Sequence, residues 1–479
     1  MSARPVLAVL AAAALLGAPV REAHARAHSV EEARATAGPL RLKKQSPERF
    51  ELKNGIPVYQ LESDRLPLVT VRAVVRAGAV WEPADRQGVA DLTGRMMRRG
   101  GTAKWSADEV DDELDFLAAR LSSAVGSQQG NLTLNVLAEN LDEALAIFAD
   151  MLREPAFDAA KIDVQKNLIK EEIRRQNDNP VQVAVREYMK LVWGADHPRA
   201  RTPTEATVDA LTRQDLVDFH ARFFEPGNVM IGVAGDVSQK EIRKKLNAVL
   251  GDWTGSTVEF PDLPPAPEVV PRAALARKDV PQSTVILGQL GPRETSPYRA
   301  SGQVMMDILG SGGFTSYIVD RVRNDEGLAY FAGGFLSFGR LDPGMVITLA
   351  LSKTESTCRA ADLILEQIHR IQNEPVTDAE LRRARDGILN SQAFEYDSGQ
   401  EIVGKLMDLI YFDLPEDHDE AVLEDVAAVT VDDVRAAANA LIDPERLSVI
   451  AVGNADGMDC AWSKFADDLG VELREIELE

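Results

Sequence analysis

Histidine and cysteine, the side chains that most often hold a transition metal, are scarce: six and two in 479 residues. His24, His28, His197, His220, His369 and His418 stand at no spacing that lets a pair grip one ion, and each reads as structural or solvated. Two cysteines, Cys358 and Cys460, cannot build a disulfide framework. Positive charge is also short, with 53 Lys and Arg against 76 Asp and Glu, a net −23. Such a surface repels nucleic acid and anionic lipid, so neither is an expected partner, whereas a basic peptide would suit it. Long apolar runs are missing. The run Val6 to Leu16 is too short to span a bilayer permanently, and no later run is longer, so no stable membrane insertion is expected.

What is present begins at the N-terminus. Arg4, the apolar run and Ala25-Arg26-Ala27 read as a secretory signal, residues 1–27, cleaved near Ala27. A mitochondrial transit peptide is the alternative, since Glu22 is the only acid there. Three arginines against one glutamate in that segment leave the mature chain near −25. The expected location is periplasmic or exported. An oxidising compartment permits a Cys358–Cys460 disulfide, with two buried thiols as the alternative.

Residues 28–46 are polar and alanine-rich, and are expected to be loosely ordered. Phe50 to Leu61 reads as a hairpin turning at Asn54-Gly55, and Val69 to Ala77 as a strand. Ser106 to Ser122 reads as one helix, with a Ser106/Glu109 capping box and an apolar face of Val110, Leu114, Leu117 and Leu121. The prolines of residues 251–281 mark a linker. On either side the chain repeats itself. Glu154-Pro155 matches Glu374-Pro375, Leu211-Thr212 matches Val429-Thr430, and Glu225-Pro226 matches Asp443-Pro444, each followed by the same kind of element. The expectation is an α+β protein of two homologous halves, 47–250 and 282–479. Each half is a mainly antiparallel sheet packed with helices, and the pair is clam-like.

One stretch organises the chemistry. Gly88-Val89-Ala90-Asp91-Leu92-Thr93-Gly94-Arg95-Met96 follows a strand and a small-residue turn. It resembles the first active-site helix of the pitrilysin/insulinase-like zinc peptidases, whose inverted motif is His-x-x-Glu-His. The overlay puts Asp91 at the first His, Gly94 at the catalytic Glu and Arg95 at the second His. Two imidazoles at i and i+4 share one helix face and can hold zinc; Arg95 stays protonated and cannot ligate, and Gly94 has no base to offer. The resemblance makes Glu172 the counterpart of the third ligand. In the second half that position is Gln392, so neither half has a complete zinc set.

A second stretch runs from Leu309 to Phe338. Gly310, Gly312 and Gly313 form a glycine loop, a helix follows, and Arg323 to Tyr330 reads Arg-Asn-Asp-Glu-Gly-Leu-Ala-Tyr. It resembles the second-half signature of the same family, in which an Arg and a Tyr seven residues apart bind substrate backbone. Arg323 and Tyr330 have that spacing, and the glycine loop would offer backbone to the same peptide. The resemblance therefore implies a non-catalytic, substrate-binding subunit with no cofactor of its own. A zinc-bearing sister chain would supply the metal for peptide hydrolysis. A structural scaffold resembling the respiratory bc1 core subunits, or a stand-alone peptide-binding module, are the other readings.

Overall fold

Alternating apolar residues in Leu68–Val75 and Gly130–Leu137 demand a sheet with one face covered. The computed structural model, which describes residues 46–268 and 270–478, has two such sheets. The signal and most of the N-terminal segment lie outside the described residues. The first-half strands are β1 (Glu48–Glu51), β2 (Pro57–Glu62), β3 (Leu68–Val75), β4 (Arg120–Val125), β5 (Gly130–Leu137) and β6 (Val229–Gly235). Their order is β1-β2-β6-β3-β5-β4, all antiparallel except β2 with β6.

The second half contributes β7 (Arg272–Arg277), β8 (Gln282–Leu290), β9 (Ala329–Ser337), β10 (Met345–Lys353), β11 (Ser448–Gly453) and β12 (Glu472–Ile476). Their order is β12-β7-β11-β8-β10-β9. Setting aside the outermost β1 and β12, the two sheets share one topology, including the parallel pair β2/β6 and β7/β11. The internal repeat is thus a repeat of fold. Strand β7 lies inside the stretch expected to be linker, and the described residues of 251–271 hold no regular element.

The helices have conventional ends. Ser106, Thr212, Thr377, Ser398 and Thr430 each cap a helix through a reciprocal capping box. Each sheet covers one face with helices of its own half, making two large cores. The other face is covered by a helix from the opposite half. Helix Pro180–Trp193 lays Val183, Ala184, Tyr188, Leu191 and Val192 on Ala274, Ile286 and Ile450 of the second sheet. Helix Gly399–Tyr411 lays Ile402, Val403, Leu406 and Met407 on Tyr59, Leu61, Val74 and Ala234 of the first. At roughly 1.5–3 kcal/mol per buried large apolar side chain, either exchanged helix contributes as much as a whole domain's net stability.

One expectation is corrected, and one open alternative is decided. The helix drawn from Ser106 to Ser122 stops at Phe116. Ala118 takes a positive φ of 48°, and Arg120–Val125 becomes the edge strand β4. Leu121 is buried in either reading, so its apolar character did not distinguish them. The two cysteines are disulfide-bonded, with Cα atoms 6.1 Å apart. The bond joins the start of helix Thr357–Asn373 to the loop before helix Trp462–Asp468.

Candidate functional site

The site helix, Val89–Arg99, starts where Gly88 takes φ 92°, a left-handed value that suits glycine. Its N-terminus is satisfied from a distance. The Glu82 carboxylate accepts the backbone N–H of Gly88 at 3.1 Å and of Ala90 at 2.7 Å. Burial pushes this carboxyl up to about 7, against the pull of those two N–H groups and Arg201. Leu92, Met96 and Met97 anchor the inner face of the helix. Gly94 also points inward, where an added Cβ would overlap the backbone of Ala124 and Val125 in β4. A glutamate at this position has no room while β4 keeps its place.

Asp91 and Arg95 share the outer face. The Arg95 Nε donates to Asp91 Oδ2 at 2.9 Å and Oδ1 at 3.1 Å. Its two terminal nitrogens donate to Glu172 Oε1 at 2.9 Å and Oε2 at 2.8 Å, a parallel fork onto one carboxylate. Glu172 is carried by helix Ala159–Arg174. The Arg95 side chain is 30% exposed, Asp91 50% and Glu172 55%, so the triad lies in an open position. The hydrogen bond from Arg95 holds the Glu172 carboxyl below its usual range and, in return, raises the guanidinium. Three of the sequence-predicted residues are thus brought together, with a fixed cation at their centre. The group does not fit a zinc ion: its central side chain is itself cationic and the base position is filled by β4. Among the described residues no cluster of three His, Cys, Asp or Glu stands ready for a metal.

The second stretch also departs from regular helix. Residues Asp307–Ser311 and Asp320–Asp325 are π-helical turns, a rare geometry that tends to mark functional segments. Arg323 lies between two exposed rings, its guanidinium carbon 4.7 Å from the Phe314 centroid and 5.8 Å from that of Tyr330. Tyr330 is 77% exposed; the pairing of β9 with β10 skips it, so it bulges from the strand. Phe331 and Phe335 on the same strand are exposed and stacked. β9 has a neighbour on one side only, as has β4 in the first sheet. The glycine loop is not uniformly open. Gly310 is buried and packed so closely on Gly333 and Gly334 of β9 that a Cβ would not fit. Its place is explained by helix–strand packing rather than by backbone offered to a ligand. Gly313 is exposed with φ 70°, and Gly312 lies against Asp307.

Sequence reasoning missed Glu82, β4 and the exposed phenylalanines of β9. Glu82 stands outside the motif, and only its position before a helix lacking an N-cap side chain could have signalled it.

A duplicated mixed-sheet fold, with the Asp91–Arg95–Glu172 triad in one half and the Arg323/Tyr330 segment in the other, has the two-half frame of the insulinase-like peptidases. Residues 59–199 match the family model described as Insulinase (Peptidase family M16), and residues 210–388 the one described as Peptidase M16 inactive domain. The chain belongs to the M16 peptidase family. An uncharacterized zinc protease of Rickettsia bellii is 25% identical over 340 residues, covering 71% of this chain and 81% of that one. A Helicobacter pylori protein named non-peptidase homolog YmxG is 22% identical over 385 residues, covering 79% and 87%. A solved peptidase M16 inactive domain from Pseudomonas fluorescens superposes with a TM-score of 0.77 at 23% identity, covering 85% of this chain and 98% of that one.

Proposed function

We propose that this chain is the non-catalytic, substrate-binding subunit of a heterodimeric zinc endopeptidase, exported to the periplasm, whose zinc sits on a sister chain of the same family. One observation carries the reading. The counterpart of the metal seat is filled by a guanidinium, while Tyr330 stands exposed on the edge strand β9 with the half-buried Arg323 of the preceding helical turn against its ring. A guanidinium and a phenol can grip successive carbonyls of an extended peptide. The unpaired edge of β9 can receive the peptide's own backbone groups. The Cys358–Cys460 disulfide supports an oxidising compartment, and no described helix is long and apolar enough to cross a membrane.

The test is co-expression with a sister chain carrying His-x-x-Glu-His. The pair should hydrolyse a fluorogenic peptide, and this chain alone should not. Arg323→Ala or Tyr330→Phe should cut turnover about 10²–10³-fold, the usual size for loss of a positioned donor. Assembly, followed by gel filtration, should be unchanged. Near-normal turnover in both variants would move the role of the chain to that of a scaffold.

A further inference from the structure

A cavity of about 400 Å³ lies along the exchanged helix Pro180–Trp193. Its floor is the outer face of that helix, where Val181, Val185 and Met189 follow one another at i, i+4 and i+8. This spacing makes a continuous apolar stripe. The inner face of the same helix is spent on the second sheet and Met189 packs partly on that core, while Val181 is half-buried and Val185 is 43% exposed. The wall is the segment Arg199 to Thr202. It leads into Pro203, which packs on Gly88 at the start of the site helix.

Two arginines of that wall hold more donors than they use. A guanidinium has five N–H groups. The Arg201 guanidinium makes a single hydrogen bond among the described residues, to the Glu82 carbonyl at 3.3 Å. Arg199 donates to Ser127 Oγ at 3.3 Å, and its Nε is buried with no hydrogen-bond partner, 3.6 Å from Asp342. Arg186, the third arginine of the cavity, is more fully engaged: its Nε donates to Glu187 and its two terminal nitrogens to the Gln176 carbonyl and Asn177 Oδ1. In a chain of net charge −23, an apolar stripe edged by under-used guanidinium groups is complementary to an apolar side chain next to a carboxylate.

We propose that this groove binds an extended acidic peptide segment, its apolar side chain on Val181, Val185 and Met189 and a neighbouring carboxylate on Arg199 and Arg201. The segment belongs to another polypeptide, and the site acts without Arg323 or Tyr330. The groove therefore selects for acidic peptides, opposite to the preference expected from net charge alone.

The experiment is fluorescence anisotropy on the full chain with a fluorescein-labelled octapeptide, Gly-Ser-Leu-Glu-Leu-Glu-Ser-Gly. Saturable binding below about 1 mM is expected, weakened about tenfold or more by Arg201→Glu, by Val185→Asp, and by lysine in place of both peptide glutamates. Val185 is surface-exposed, so its variant should fold even if Arg201→Glu does not; circular dichroism checks both. Arg323→Ala should leave binding unchanged, which separates this site from the proposed peptidase role. No saturable binding overturns the proposal. So does equal binding of the lysine peptide, binding lost in Arg323→Ala but kept in Arg201→Glu, or a concentration-dependent dimer that Val185→Asp abolishes without peptide.

Discussion

Arg95 is gripped by two carboxylates that are themselves half in water, and this sets the size of its effect. A fully buried arginine between two acids would cost about 3–5 kcal/mol to remove. Exposed pairs give about 0–1 kcal/mol, so Arg95→Ala should cost no more than about 1 kcal/mol by urea unfolding. Gly94→Ala should cost more, about 1–3 kcal/mol, because its Cβ meets strand backbone that cannot move aside. For the same reason the triple change Asp91→His, Gly94→Glu, Arg95→His should yield no stoichiometric zinc by metal analysis.

Two buried groups near this helix titrate in opposite senses. Glu82, raised from 4.5 to about 7, contributes stability that is complete below pH 4.5 and is lost as pH rises towards 7. Burial lowers His220 from 6.5 to about 4, so its contribution is complete above pH 6.5 and lost as pH falls towards 4. The two slopes offset one another across the shared window. Glu82→Gln should therefore make stability rise more steeply with pH between about 4.5 and 6.5 than in the wild type. An unchanged profile of urea midpoints would refute the assignment.

Among the elements, the exchanged helices depend on glycines facing them. A Cβ on Gly232 of β6 would overlap Met407 and Val403, and one on Gly288 of β8 would meet the Tyr188 hydroxyl. Gly232→Val should cost about 1–3 kcal/mol, read as a lowered midpoint. Tyr188 is fully buried and its hydroxyl has no hydrogen-bond partner among the described residues, so Tyr188→Phe should be neutral or stabilising. Much of this architecture was legible in the residues. The repeated Glu-Pro and Thr-capped starts located matching helices in both halves, and the family resemblance around Asp91, Arg95 and Glu172 pointed to the triad. What escaped was long-range. Arg120–Val125 continues a helical apolar period from Leu114 and Leu117, and only its pairing with β5 makes it a strand. The exchange of helices leaves no mark in local pattern, because an apolar helix face is the same whichever sheet it meets.

For the whole molecule, the disulfide spans 102 residues of the second half. Loops of that length give stabilisation in the range of about 2–5 kcal/mol. The double variant Cys358→Ser, Cys460→Ser should lose that much by denaturant unfolding, and dithiothreitol should do the same to the wild type. The reciprocal exchange of helices has a consequence for ancestry and cleavage. Two like units, each completing the other with one helix, have the architecture of a domain-swapped dimer, here carried on a single polypeptide. The described residues of 251–271, the connection between the halves, supply no strand to either sheet, although Trp253, Phe260 and Leu263 pack on the first-half core. A protease nick in that stretch should leave two fragments that migrate as one particle under native conditions and part only in denaturant, while either fragment made alone should lack a folded state.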